Sequence, residues 1–383
     1  MNFKNVKKIL VIKFRHIGDV LLTVPVFRAL RENFPQAYIA ALVNSGTQEV
    51  LTGNPLIDDV IVFNRGIKKL NLIKKYLNEF SFLRTIRQKG FDMAVDLTSG
   101  DRAAIAAFIS GAQYRLTYDL GENGFIGKKY LYTHFVQKDG SQHMVLQNLD
   151  VVKQFGISTE NLDVKIFIPE DDRRFVKNIL SENYIKKTDR IVHIHPTSRW
   201  LFKCWEDKNM AGVISWLLNI GIKVIVTSSP DKKEMAKAKK IISLVRDCPD
   251  STARPPQADK PVNQGQSLID LSGKTTIKQL AAISEISDVF FGVDSAPMHI
   301  AAAVGTPVIA LFGPTGDAWK PWGKNHVVLS KEMDCKPCRP GVCDRFELRR
   351  CLEMITEQEV MDALASMLGL KDNLVRKSRT EIS

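Results

Sequence analysis

This 383-residue chain has no apolar run long enough to cross a bilayer. Its most apolar region, Ile300 to Phe312, is broken by Gly305-Thr-Pro307. After Lys7-Lys8 the apolar run Ile9 to Ile12 is far too short for a secretory leader, so a cytoplasmic protein is expected. No G-x-G-x-x-G follows the first strand-like segment, where Phe14-Arg-His-Ile-Gly-Asp19 stands instead, which argues against a dinucleotide oxidoreductase. Gly121-Glu-Asn-Gly-Phe-Ile-Gly-Lys-Lys129 is a poor phosphate loop: its spacing fails, and Lys129 stands where Ser or Thr is needed. Acidic residues are outnumbered by basic ones, 42 to 54, and the net charge of +12 favours an anionic partner. Nucleic acid, a phosphorylated glycolipid and an anionic membrane face all qualify. The basic residues are spread along the chain, without an aromatic-basic RNA motif or zinc-finger spacing, so nucleic acid is not expected.

Cysteine is also scarce, but four of the six fall together as Cys335-x2-Cys338-x4-Cys343-x7-Cys351. Three readings stay open: free thiols in a packed loop, a structural metal site, or a redox pair. In a reducing compartment stable disulfides rank last. Any metal there would be structural, because the groups that suggest catalysis lie elsewhere.

What is present is alternation. Strand-like segments at Lys8–Ile12, Tyr38–Val43, Val60–Phe63 and Met93–Asp96 are separated by helix-like ones at Asp19–Asn33, Gly46–Leu51 and Leu70–Arg87. Further helices are expected at Arg102–Ile109 and from His143 to Phe155, with Gly156 in a helix-stop position. After the turn Pro169-Glu-Asp-Asp172 and a charged helix, strands recur at Ile191–Ile194, Lys223–Thr227, Leu268–Leu271, Val289–Val293 and Pro307–Phe312. This pattern predicts an α/β protein with two Rossmann-like, parallel-sheet halves joined near residue 170. The expected divisions are 1–170, 171–355 and a C-terminal helix and tail at 356–383. The Pro- and Gln-rich stretch from Arg246 to Gln266 reads as a loop or insertion.

Three strand–turn–helix junctions carry the chemistry. In Phe291-Gly-Val-Asp-Ser-Ala-Pro-Met-His299 a strand ends in a polar turn, and Pro297 suits the first turn of the next helix. N–H groups at that helix start can hold a diphosphate; an ordinary turn capped by Asp294 or Ser295 is the alternative. In the first junction Asp19 follows Gly18, which permits a tight turn, and is either a helix cap or a general base. Arg15 and His16 are anion-binding candidates in the same turn. The third is His195-Pro-Thr-Ser-Arg-Trp-Leu-Phe-Lys-Cys-Trp205, where Thr197 and Ser198 leave a strand end. Lys203 there either neutralises a leaving diphosphate or lies on the surface beside two packing tryptophans. A basic amphipathic stretch adds Arg65, Lys68, Lys69, Lys74, Lys75, Arg84 and Arg87 around Leu70, Ile73, Leu77 and Phe80. It is either a solvated helix face or a contact for lipid phosphates at the inner membrane.

The segments ILVIKFRHIGDVLLTVPVFRAL, HPTSRWLFKCW, LIDLSGKTTIKQLAAI and GVDSAPMHIAAAVGTPVIALFGPT, in this order, resemble the ADP-heptose:lipopolysaccharide heptosyltransferases. These are inverting glycosyltransferases of the GT-B fold, two Rossmann-like domains facing across a cleft, and the look is closest to the subfamily acting third on the inner core. The resemblance implies ADP-heptose as donor, a heptose of the lipopolysaccharide inner core as acceptor, and no cofactor or metal. It makes Asp19 the base and Lys203 the group that holds the ADP phosphates. Thr197, Ser198, Asp294, Ser295, Ala296, Pro297, Met298 and His299 would grip the donor, and Leu271-Ser-Gly-Lys-Thr275 would seat the adenosine. The acidic residue for the ribose is left open between Asp231 and Glu234, and Arg102 and Arg115 are further acceptor candidates. Two other functions stay in view: a GT-B transferase for another nucleotide sugar and cell-envelope acceptor, and a non-catalytic anion-binding protein.

Overall fold

The computed structural model describes residues 3–66, 71–119, 121, 124–246, 268–313, 315–333 and 350–370. It divides into two compact units, Met1–Phe167 and Ile168–Ser383. The expected loop at Arg246 to Gln266 lies outside the described residues apart from its first residue, and so do Cys335, Cys338, Cys343, Lys68, Lys69 and Leu70.

The first unit holds strands β1 (Lys8–Lys13), β2 (Tyr38–Asn44), β3 (Asp59–Phe63), β4 (Met93–Asp96), β5 (Tyr114–Tyr118) and β6 (His134–Val136). Its helices are α1 (Ile17–Leu21), α2 (Val24–Asn33), α3 (Leu72–Lys89), α4 (Asp101–Ile109) and α5 (Met144–Lys153). The strands form one parallel sheet in the order β3-β2-β1-β4-β5-β6. The chain winds outward from β1 and then restarts on β1's other side, so the β1/β4 boundary is a topological switch point, where open α/β sheets bind ligands. Near-continuous burial of β1 and β2 fits a sheet covered on both faces. On one face Leu10, Ile12, Ala40 and Leu42 pack beneath Ile86 of α3 and Ala103, Ala104 and Ala107 of α4.

The second unit repeats the plan with β7 (Ile191–His195), β8 (Lys223–Ser228), β9 (Leu268–Ser272), β10 (Val289–Val293), β11 (Val308–Phe312) and β12 (Val327–Ser330). Helices α6 (Glu170–Glu182), α7 (Asp207–Asn219), α8 (Lys232–Arg246), α9 (Ile277–Glu285), α10 (Ala296–Ala303), α11 (Arg350–Glu353) and α12 (Glu357–Met367) surround it. The parallel order β12-β11-β10-β7-β8-β9 places the switch point between β7 and β10. Trp205, Ile214, Leu217 and Phe291 fill one face together with Val360 and Leu364 of α12. Met298, Phe290 and Phe312 fill the other.

Several expected elements differ. The helix expected over Asp19–Asn33 is two helices, because Pro25 belongs in a helix's first turn, and α2 restarts at Val24. Gly46–Leu51 yields only a 3-10 turn at Gln48–Val50. Pro169-Glu-Asp-Asp172 is no separate turn: Pro169 is the N-cap, and the three acidic residues form the first turn of α6, where they suit the helix dipole. Strands β5, β6 and β12 were not anticipated.

Candidate active site

In the first unit the β1–α1 junction makes Asp19 the third residue of α1 rather than its cap. His16 is the N-cap, and its backbone N–H donates to the Asp19 carboxylate at 3.2 Å. Gly18 therefore sits inside the helix, not in a tight turn. This holds the half-buried Asp19 carboxylate beyond the end of β1. The β4–α4 loop is pinned beside it: Lys13 Nζ donates to Leu97 O and Asn148 Oδ1, each at 2.8 Å, and Phe14 N–H donates to Thr98 Oγ1 at 2.8 Å. Burial pushes the Lys13 ammonium down to about 8, against the pull of the Asp19 and Asp96 carboxylates. Buried Asp96, whose carboxyl is pushed up by desolvation, accepts from Tyr132 at 2.5 Å and from the N–H groups of Thr98 and Ser99 at 2.7 and 3.2 Å. Ser99 takes a left-handed φ of 57°, a local strain over-determined by those bonds.

The proposed acceptor arginines separate. Arg15 is exposed in the Asp19 turn with half-buried His16 next to it. Arg102, at the start of α4, pairs with Glu79 at 2.8 Å and lies over the Phe63 ring. Arg115 stands near the amino end of β5, away from the carboxyl ends of the strands, and donates to Leu131 O and Ala112 O, each at 2.6 Å. Sequence spacing gave no sign of that, because it does not show which end of a strand a residue occupies.

In the second unit the donor candidates gather at the strand ends around the β7/β10 switch point. Lys203, in a 3-10 turn at Leu201–Lys203, reaches Asp294 at 2.5 Å and lies 5.2 Å over the Trp200 ring. Thr315 Oγ1 also donates to that Asp294 carboxylate, a partner the sequence did not reveal. Side-chain exposure of 14% for Lys203 and 7% for Asp294 makes this a largely desolvated pair. Ser295 is the N-cap of α10, with Ala296 and Pro297 opening the helix. The helix's first-turn N–H groups thus stand beside the Lys203 ammonium. Met298 is fully buried and packs in the core; His299 is buried in the same turn. Gly292 permits the junction, since a Cβ there would lie 2.7 Å from His195 O on the neighbouring strand.

Thr197 and Ser198 are buried just beyond β7. The two acidic candidates after β8 differ in placement. Asp231 is exposed and accepts the N–H of Lys233 at 2.9 Å at the start of α8, whereas Glu234 is 5% exposed and accepts from Thr197 Oγ1 at 2.9 Å. Leu271 is buried near the end of β9, and Gly273 continues the turn with a left-handed φ of 71° and its N–H on Ser228 O at 3.1 Å.

Beneath these groups runs a buried polar chain that the sequence did not announce. Thr197 Oγ1 lies 3.5 Å from His195 Nε2, His195 Nδ1 lies 2.9 Å from Thr227 Oγ1, and Thr227 Oγ1 lies 2.8 Å from His193 Nε2. His193 Nδ1 ends the chain on Ser284 Oγ at 2.8 Å. Thr197 gives its proton to the Glu234 carboxylate, so it accepts from His195 Nε2–H. His195 Nδ1 then accepts from Thr227, which accepts from His193 Nε2–H. Burial lowers His195 to about 3 and His193 well below the usual imidazole range, so both rings are neutral at pH 7. Among the described residues no cluster of three or more His, Cys, Asp or Glu side chains is arranged to hold a metal ion, and buried Cys351 is the one member of the cysteine cluster described. No described helix is long and apolar enough to cross a membrane.

The two parallel-sheet units are matched in solved structures. A glycosyl transferase family 9 protein from Veillonella parvula covers 97% of this chain and 99% of its own, with a TM-score of 0.77 at 22% identity. The Escherichia coli ADP-heptose lps heptosyltransferase II gives 0.72 at 18% identity, covering 97% and 99%. The fold is therefore GT-B. The sequence model of glycosyltransferase family 9 (heptosyltransferase) matches residues 79–346, so the chain belongs to that family. Lipopolysaccharide heptosyltransferase 3 of Escherichia coli K12 is 33% identical over 315 residues, 82% of this chain and 85% of the relative.

Proposed function

We propose that this enzyme transfers a heptose from ADP-L-glycero-β-D-manno-heptose to a heptose of the lipopolysaccharide inner core, with inversion at the anomeric carbon. The observation that carries the reading is the Lys203–Asp294 pair at the start of α10, a desolvated cation beside helix N–H groups. That arrangement suits a diphosphate. The donor is supported by the likeness to the Escherichia coli ADP-heptose lps heptosyltransferase II, and the acceptor by the lipopolysaccharide heptosyltransferase 3 relative.

The reaction is a single displacement. An acceptor hydroxyl attacks the anomeric carbon, the bond from that carbon to the diphosphate oxygen breaks, and Asp19 takes the hydroxyl proton. The negative charge that appears on ADP meets Lys203 and the first turn of α10, groups already oriented before the reaction. Asp294 and Thr315 hold that region in place, and Lys203 turns from Asp294 to the diphosphate when donor binds. Thr197, Ser198, Ser295, Ala296, Pro297, Met298 and His299 form the donor wall, Met298 through its backbone. Glu234, with one carboxylate oxygen engaged by Thr197, offers the other to the ribose hydroxyls, and Leu271 lies against the adenosine. Arg15, His16 and Arg102 face the acceptor's anionic groups.

Incubating the purified protein with ADP-heptose and a panel of truncated core acceptors, followed by mass analysis, tests the reading. Addition of one heptose to one acceptor is expected; no addition to any of them refutes it. Asp19→Asn should lose turnover while ADP binding persists in calorimetry. Undiminished transfer by that variant removes Asp19 as the base.

A further inference from the structure

Of the large apolar side chains exposed among the described residues, more than half come from three neighbouring pieces of the first unit: α3, α4 and the segment 125–130. Helix α3 is built to be seen from outside. Its inward face carries Phe82, Leu83 and Ile86 against the sheet. Its outward stripe is Ile73, Leu77 and Phe80, 73%, 63% and 67% exposed, at the spacing that aligns residues on one helix face. Tyr76 flanks the stripe, and Arg84 continues it toward the helix end. Helix α4 packs against α3 on one side and against the 3-10 turn Lys128–Leu131 on the other, and it adds half-exposed Phe108. Ile126, just before that 3-10 turn in the chain, is fully exposed. A water-facing helix ordinarily shows charge along such a stripe, and contiguous apolar surface of this kind marks an interaction site.

The charge around the stripe identifies its occupant. Helix α3 carries five basic residues, Lys74, Lys75, Arg84, Arg87 and Lys89, against a single acidic one, Glu79, and Glu79 is taken by Arg102. Among the described residues no carboxylate pairs with Lys74, Arg84 or Lys129. An apolar stripe bordered by uncompensated cations fits a surface with an apolar interior and anionic headgroups. A second copy of this chain would bring the same positive charge to the contact. The stripe also occupies the first half of α3, which starts at the sheet edge where β3 ends, the same edge as Asp19.

We infer that the outward face of α3 is a docking surface for an anionic phospholipid bilayer. The side chains Ile73, Leu77 and Phe80 enter the interface between headgroups and acyl chains, and Lys74, Arg84 and Lys129 contact the phosphates. The binding does not depend on sugar chemistry, so this surface and the heptosyl-transfer reading fail or survive separately.

The test is flotation of the full-length protein with vesicles of phosphatidylethanolamine mixed with phosphatidylglycerol, compared with phosphatidylcholine vesicles. Wild type should float with the anionic vesicles and stay in solution with the others, and binding should fall as salt is raised. Leu77→Asp/Phe80→Asp, at exposed positions, should abolish flotation with an unchanged unfolding profile. Lys74→Glu/Arg84→Glu should weaken it by at least about fivefold per residue. Flotation of the apolar variant equal to wild type, or none by wild type itself, overturns the inference. A sedimentation-detected dimer that the apolar variant splits, without vesicle binding, assigns the face to a second copy and overturns it equally.

Discussion

Replacing His195 by Gln should flatten the enzyme's acid sensitivity by a predictable amount. The ring is 2% exposed, neutral, and held between Thr227 and Thr197, with its imidazole lowered to about 3 by burial. An imidazole in the unfolded chain titrates near ~6.5, so between that value and the folded one the unfolded state binds a proton that the folded state refuses. The penalty is absent at pH 7 and above and grows as pH falls below about 6.5. At pH 5, about 1.5 units lower, it amounts to about 2 kcal/mol for one histidine. All five tryptophans, Trp200, Trp205, Trp216, Trp319 and Trp322, lie in the second unit, so urea unfolding followed by tryptophan fluorescence reads that unit. Between pH 7 and pH 5, wild type should lose about 2 kcal/mol more stability than His195→Gln. The comparison is of slopes, so any fixed cost of the substitution drops out. Parallel pH profiles for the two proteins would refute the buried, neutral assignment of His195.

Other substitutions probe the switch points. Gly292→Ala forces a Cβ to 2.7 Å from His195 O, and it should cost about 1–3 kcal/mol in urea unfolding and weaken ADP binding in calorimetry. Lys203→Met leaves Asp294 buried without its cation and should destabilise the second unit by up to about 3–5 kcal/mol. The double variant Lys203→Met/Asp294→Asn should recover most of that loss in the same unfolding assay, while ADP binding stays weak. Tyr132→Phe removes a donor from the buried Asp96 carboxyl, and should cost about 1–3 kcal/mol in unfolding followed by circular dichroism.

Much of the frame was legible in the chain because strand–turn–helix junctions are local. Apolar runs such as Ile9 to Ile12 and Val289 to Val293 mark buried parallel strands, and Pro297 marks a helix start. Two of the strands that escaped are short, β6 with three residues and β12 with four, and carry little period of their own. Asp19 was legible as a residue of the first junction, but its place as third residue of α1 depended on where the helix begins, the least certain feature of any sequence reading. The sequence by itself determined two wound α/β halves, their polar junctions and the family motifs. Only the tertiary structure decided which junctions meet. Lys203 and Asp294 are 91 residues apart and touch because β7 and β10 are sheet neighbours, and Glu234 rather than Asp231 turns inward because its position on α8 faces Thr197. Sheet order brings such groups together through long-range hydrogen bonding and core packing, and nothing in the local pattern around any one of them encodes it.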